Sequence, residues 1–125
     1  MAKKKTVSDT ELAIMGVLWE RGPIAVRDIV DELYGEYKRS LHATVQSLLD
    51  RLIEKGLVAK EAGRGANLYS AAIVRSEFVG KQLEQIASSH FDGAVTPMLH
   101  ALVDHAKLSR KDRAAIRRII DELDS

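Results

Sequence analysis

The sequence predicts a mainly α protein with one small antiparallel β-hairpin. It divides into an N-terminal winged helix-turn-helix over residues 7–74 and a C-terminal domain of three helices over residues 75–125. Three observations predict this. Apolar residues recur at helical spacing from residue 11 to residue 53, interrupted at Gly22-Pro23 and Tyr34-Gly35. The period then changes to that of strands on either side of Gly63-Arg64-Gly65-Ala66, whose glycines suit a turn. Helical spacing returns after residue 75 and continues towards the end. The order helix, helix, helix, hairpin is more specific than any one element in it.

Each element has its own signal. Ser8 followed by Glu11 is a capping box. Leu12, Met15, Gly16 and Trp19 line one face of the first helix, which runs to about Arg21, and Ile14, Val17 and Leu18 widen its apolar surface. Ile24-Ala25 fits a very short strand. Val26, Ile29, Val30 and Leu33 mark a second helix whose Arg27, Asp28, Asp31 and Glu32 face water. A turn over residues 36–39 leads to a third helix over 41–55, with Ser40 as its N-cap and Gly56 just past its end.

That third helix buries Leu41, Val45, Leu48, Leu49, Leu52 and Ile53 on one face. The opposite face carries His42, Ala43, Gln46, Ser47, Asp50 and Glu54, with Thr44 and Arg51 on a flank. Near its start this face is small, polar and free of carboxylates, which fits base edges in a major groove. An ordinary amphipathic helix carries the same stripe. Strands over 57–61 and 67–71 follow, with Lys60 and Arg64 on or near the hairpin tip.

The remaining residues read as helix. Ser76 can cap a helix with Phe78, Val79, Leu83, Ile86, Ala87, His90 and Phe91, and Asp92-Gly93 ends it. Val95, Met98, Leu99, Leu102, Val103 and Ala106 form the next, with Pro97 in its first turn. Ser109 and Asp112 cap a last helix striped by Ile116, Ile119, Ile120 and Leu123.

Composition narrows the function. The 125 residues are 46% hydrophobic and 30% charged, with two prolines and no cysteine. One domain, or two small ones, is expected, without disulfides, thiolate metal sites or a cysteine nucleophile. No apolar run approaches the roughly 20 residues that span a bilayer. Met-Ala-Lys-Lys-Lys lacks a following apolar segment, so a cytoplasmic location is expected. The basic arm at residues 2–7 fits either a DNA-tracking tail or a disordered solubilising terminus.

Net charge is only +1, so a polyanion site must come from local arrangement. Residues 37–64 supply it, with six basic side chains (Lys38, Arg39, Arg51, Lys55, Lys60, Arg64) against three acidic ones (Asp50, Glu54, Glu61). A solvated loop is also charged, so the excess supports phosphate contact without requiring it. Catalysis has little to work with. The four histidines (His42, His90, His100, His105) are scattered, and no metalloprotease, phosphate-loop or nucleophile-elbow motif occurs. No enzyme activity, metal or cofactor is expected.

Three helices in about fifty residues carry more apolar positions than so small a unit buries alone. A second copy is the usual remedy. The expected dimerisation residues are Phe78, Leu83, Ile86, Phe91, Met98, Leu99, Leu102, Val103, Ile116, Ile119, Ile120 and Leu123. The competing arrangement folds these helices back onto the N-terminal domain.

Two stretches also resemble a known family. Residues 11–19 (Glu-Leu-Ala-Ile-Met-Gly-Val-Leu-Trp) are similar to the opening helix of the penicillinase-repressor family, the BlaI-, MecI- and CopY-type repressors. Residues 44–58 resemble that family's recognition helix and its exit, and Tyr69 falls where its second wing strand has a tyrosine. The resemblance implies a homodimeric repressor on a pseudo-palindromic operator. Carried over, base contacts fall on His42, Ala43, Thr44 and Gln46, with Arg51 and Arg64 on the backbone. Ala43 and Gln46 stand where some relatives have arginine or lysine, and glutamine prefers adenine edges where arginine prefers guanine.

Copper-responsive members use C-terminal cysteines, which this chain lacks. β-Lactam-responsive members are cut at an Asn-Phe bond by a sensor-linked protease. The matching place is Ala101-Leu102, which has neither residue.

The expectation is therefore a homodimeric transcriptional repressor. Lys38, Arg39, Arg51, Lys55, Lys60 and Arg64 meet the DNA backbone, His42, Ala43, Thr44, Gln46 and Ser47 face bases, and Ser40 belongs to the same DNA-binding surface. The alternatives are a winged-helix protein-interaction module and a ligand- or metal-sensing regulator using His100 or His105.

Overall fold

The computed structural model describes residues 7–123. All of the basic arm at residues 2–7 except Val7, and the last two residues, lie outside the described residues. The chain forms two compact units, residues 1–82 and 83–125. The division falls within the helix over Arg75–Phe91.

In the first unit, α1 (Asp9–Arg21) is opened by the expected capping box. The Ser8 N–H donates to Glu11 Oε1 at 2.9 Å, and the Glu11 N–H donates to Ser8 Oγ at 3.1 Å. Helix α2 (Val26–Tyr34) and helix α3 (Arg39–Glu54) pack beneath it. Strands β1 (Val58–Ala62) and β2 (Asn67–Ala71) form an antiparallel hairpin in which Lys60 is opposite Tyr69. Ile24 bridges to the outer side of β2: its N–H donates to the Tyr69 carbonyl at 3.0 Å and its carbonyl accepts from Tyr69 N–H at 2.8 Å. The short strand expected at Ile24 is this bridge.

The core gathers Ile14, Met15, Leu18, Ile29, Val30, Val45, Leu49, Leu52 and Tyr69, all buried. Periodicity explains most of it, because each helix turns its apolar stripe inward.

The end of α3 is set by glycine. Gly56 adopts φ +77°, its N–H donates to Ile53 O, and Leu57 N–H donates to Leu52 O, both at 2.9 Å. This is the Schellman arrangement that left-handed glycine permits. It occupies the Leu57 amide, so β1 starts at Val58, one residue later than expected. Gly63 serves the hairpin turn: a Cβ there would lie 2.6 Å from the Ala66 carbonyl oxygen.

The start of α3 corrects a second expectation. Lys38, not Ser40, holds the N-cap position, and no side chain caps the helix. The Lys38 carbonyl already accepts from His42 N–H at 3.0 Å, so Ser40 lies within the first turn.

Phe78 is the third correction. Its ring meets Trp19 edge-on with centroids 5.4 Å apart and is 4% exposed, so it belongs to the first unit's core. Trp19 also donates from Nε1 to the Ile73 carbonyl at 2.9 Å. The first turns of α4 (Arg75–Phe91) are thus anchored to α1.

In the second unit the rest of α4 is followed by α5 (Val95–His105) and α6 (Arg110–Leu123). Ser109 and Asp112 cap α6 reciprocally, at 3.1 and 3.0 Å. Neither α5 nor α6 has a buried residue among those described.

One long-range ion pair reinforces the first unit. Lys55 Nζ, at the end of α3, lies 3.0 Å from Glu11 Oε2 in the first turn of α1. The Glu11 side chain is only 5% exposed. Burial pushes its pKa up, but the Ser8 N–H, Lys55 and the Ser8 hydroxyl together hold it below the usual value of 4.5. A carboxyl with a lowered folded-state pKa stabilises above its unfolded value, and that contribution is lost as pH falls through the folded one. Glu11→Gln should therefore cost about 1–3 kcal/mol at pH 7 in urea denaturation, with the deficit shrinking below pH 4.5. Phe78→Ala should cost about 3–5 kcal/mol by the same measurement, because it opens a cavity beside Trp19.

Candidate nucleic-acid interface

The outward face of α3 is a shallow polar surface. Tyr37, Arg39, His42, Ala43, Gln46, Ser47 and Asp50 line an open cleft of about 580 Å³. A second depression of about 380 Å³ is bounded by Ala43, Thr44, Ser47, Leu48 and Arg51. Seven sequence-predicted residues, Arg39, His42, Ala43, Thr44, Gln46, Ser47 and Arg51, thus line one helix surface.

Their hydrogen bonds define what each can offer. Thr44 donates its hydroxyl to the Ser40 carbonyl at 3.0 Å, leaving its lone pairs and methyl outward. Tyr37 Oη lies 2.8 Å from His42 Nδ1, the rings meeting edge-on, and the Arg27 guanidinium stacks 4.4 Å from the Tyr37 centroid. This pairing leaves His42 Nε2 for an outside partner. Gln46 donates from Nε2 to Tyr69 Oη at 2.9 Å and to Asp50 Oδ1 at 3.3 Å. Ala43 and Ser47 are exposed and small, so a partner surface can approach the helix backbone between them.

The basic residues separate into two groups. Arg39, Arg51, Lys60 and Arg64 are exposed, and no ion pair engages them among the described residues. Lys60 stands on β1, and Arg64 lies in the turn between the strands. Lys38 pairs with Glu36 at 3.2 Å, both about 60% exposed, a contact too solvated to hold it back. Lys55 differs: its ammonium pairs with Glu11 inside the first unit.

Three features of this surface are absent from the sequence expectation: Tyr37 against His42, the Tyr69 hydroxyl on Gln46, and the Asp50 acceptor. Only the last leaves a local trace, the i, i+4 spacing of glutamine and aspartate on one helix face.

Among the described residues no group of three or more histidine, aspartate or glutamate side chains is placed to hold a metal ion, and no helix is long and apolar enough to cross a membrane.

The chain is 25% identical over 122 residues to the penicillinase repressor of Bacillus licheniformis, covering 98% of this chain and 94% of that protein. It is 31% identical over 128 residues to the transcriptional regulator BlaI of Mycobacterium tuberculosis, covering all of this chain and 90% of the relative. Among solved structures, the monomeric form of Bacillus licheniformis BlaI in complex with the blaP half-operator aligns at 30% identity with a TM-score of 0.47, over 58% of this chain and 87% of that one. The sequence model described as penicillinase repressor matches residues 7–122, from the residue before the capping box of α1 to the last turn of α6, and the chain belongs to that family.

Proposed function

We propose that this chain represses transcription as a homodimer, each copy laying α3 in a major groove of operator DNA while its hairpin wing meets the flanking backbone. It is a regulator, not an enzyme, as its family membership and relatives imply. The observation that carries the DNA reading is the α3 surface itself. It has no acidic residue in its first turn, no side-chain cap over its leading amides, and small side chains along its centre.

An uncapped helix start favours an anion, because its first N–H groups point outward and the helix dipole adds positive potential. Arg39 lies beside it, and Arg51, Lys60 and Arg64 bring further unpaired charge. Phosphate contacts by these residues fix register, while His42, Ala43, Thr44, Gln46 and Ser47 face base edges.

The second unit supports the homodimer. Leu83, Leu102, Val103, Ile119, Ile120 and Leu123 are between 46% and 79% exposed within one chain. Leaving large aliphatic side chains about half exposed forgoes roughly 1 kcal/mol each relative to full burial. A second copy offers the same stripes and a symmetric closure. Two recognition helices then meet half-sites about one DNA turn apart, roughly 34–36 Å.

For release, the Ala101-Leu102 bond lies within α5, where the Leu102 carbonyl accepts from Ala106 N–H at 2.8 Å.

Arg51→Ala and Arg64→Ala should weaken binding to every DNA sequence and each flatten the salt dependence by about one charge in fluorescence-anisotropy titrations. Lys55→Ala should leave that slope unchanged while lowering stability, which separates the core lysine from the surface ones. Ile119→Glu should raise the dimer dissociation constant at least roughly tenfold in sedimentation equilibrium. Unchanged self-association in that variant contradicts the homodimer surface.

A further inference from the structure

The Gln46 side chain is held in a way that restricts what it can read. A carboxylate has no hydrogen to give, so the Gln46 group facing Asp50 Oδ1 must be the amide NH2. The same nitrogen lies 2.9 Å from Tyr69 Oη. An NH2 group has two hydrogens, and these two acceptors use both. Gln46 Oε1 accepts no hydrogen bond among the described residues, while the side chain lines the open cleft on α3.

The Tyr69 end of this arrangement is rigid. Tyr69 is 1% exposed, and its backbone is paired with Ile24 on one side and lies opposite Lys60 on the other. Pulling the amide away from its hydroxyl leaves a buried oxygen short of a partner, a cost that opposes rearrangement on DNA.

We propose that Gln46 reads its base pair as a hydrogen-bond acceptor only, selecting an exocyclic amine in the major groove, adenine N6 or cytosine N4, with Asp50 and Tyr69 as positioning residues that occupy its donors. This rests on the DNA-binding reading above and goes beyond it. Glutamine usually recognises adenine with two bonds, its N–H on N7 and its oxygen on N6. Here the first bond is withheld. Guanine and thymine present acceptors at the corresponding positions, and they face an oxygen that cannot donate.

The experiment combines a randomised-operator selection with base analogues. Comparing the parent protein with Gln46→Ala locates the base pair whose preference depends on Gln46, expected to carry adenine or cytosine on the contacted strand. At that pair an analogue lacking the exocyclic amine, purine for adenine or 2-pyrimidinone for cytosine, should weaken binding roughly five- to tenfold. If the base is adenine, 7-deazaadenine, which lacks only N7, should change binding less than twofold. Tyr69→Phe keeps the buried ring and frees one amide hydrogen, so it should confer at least threefold sensitivity to 7-deazaadenine, or shift a cytosine preference towards adenine.

Equal losses with the two adenine analogues in the parent protein overturn the proposal. So does a guanine or thymine preference at the Gln46-dependent pair, or a Gln46→Ala profile identical to that of the parent. A Tyr69→Phe variant that folds and keeps the parent's analogue profile removes Tyr69 from the positioning role. If the parent protein enriches no sequence, the DNA reading fails first and this proposal falls with it.

Discussion

Tyr69 is the constraint on which the first unit depends. Its ring fills the core, its backbone carries both the hairpin and the bridge to Ile24, and its hydroxyl reaches the outward face of α3. A tyrosine suits such a place because it has an apolar body and one polar end. The buried Tyr69 side chain is therefore one link between the hairpin and α3. What the surface of α3 presents is decided partly from behind it.

The Glu11–Lys55 pair does related work at the other end of α3. It joins residues 44 positions apart and satisfies a carboxylate that burial alone would penalise. The same carboxylate accepts from the Ser8 N–H, so one side chain both starts α1 and holds the exit of α3. The second unit is organised differently. Its α6 is capped at its start, but much of its apolar surface stays exposed within one chain, so its stability depends on what covers that surface.

Much of this architecture is legible in the sequence, and the legible parts are local. The capping boxes at Ser8 and Ser109 need residues only three apart, and β2 coincides with its expected span over 67–71. The outward face of α3 follows from helical geometry alone. The departures involve partners that spacing does not reveal. The pairing of Lys55 with Glu11 joins distant residues, and Phe78 looks like part of a dimer surface until Trp19 is placed against it. Ser40 is a good capping residue by type, yet a backbone hydrogen bond to the Lys38 carbonyl starts the helix earlier. At the site, residue identities are readable but their hydrogen-bonding capacity is not. That Gln46 has no donor left depends on a tyrosine 23 positions away.

The central claim is that two copies of α3 read a specific operator. Its most direct measurement is hydroxyl-radical footprinting on genomic fragments captured by the purified protein in the presence of excess non-specific DNA. The account predicts one enriched sequence with two protected half-sites whose centres lie about 10–10.5 base pairs apart, or a multiple of that spacing. Capture with no sequence enriched over the input, or protection confined to one unpaired half-site at saturation, would contradict it.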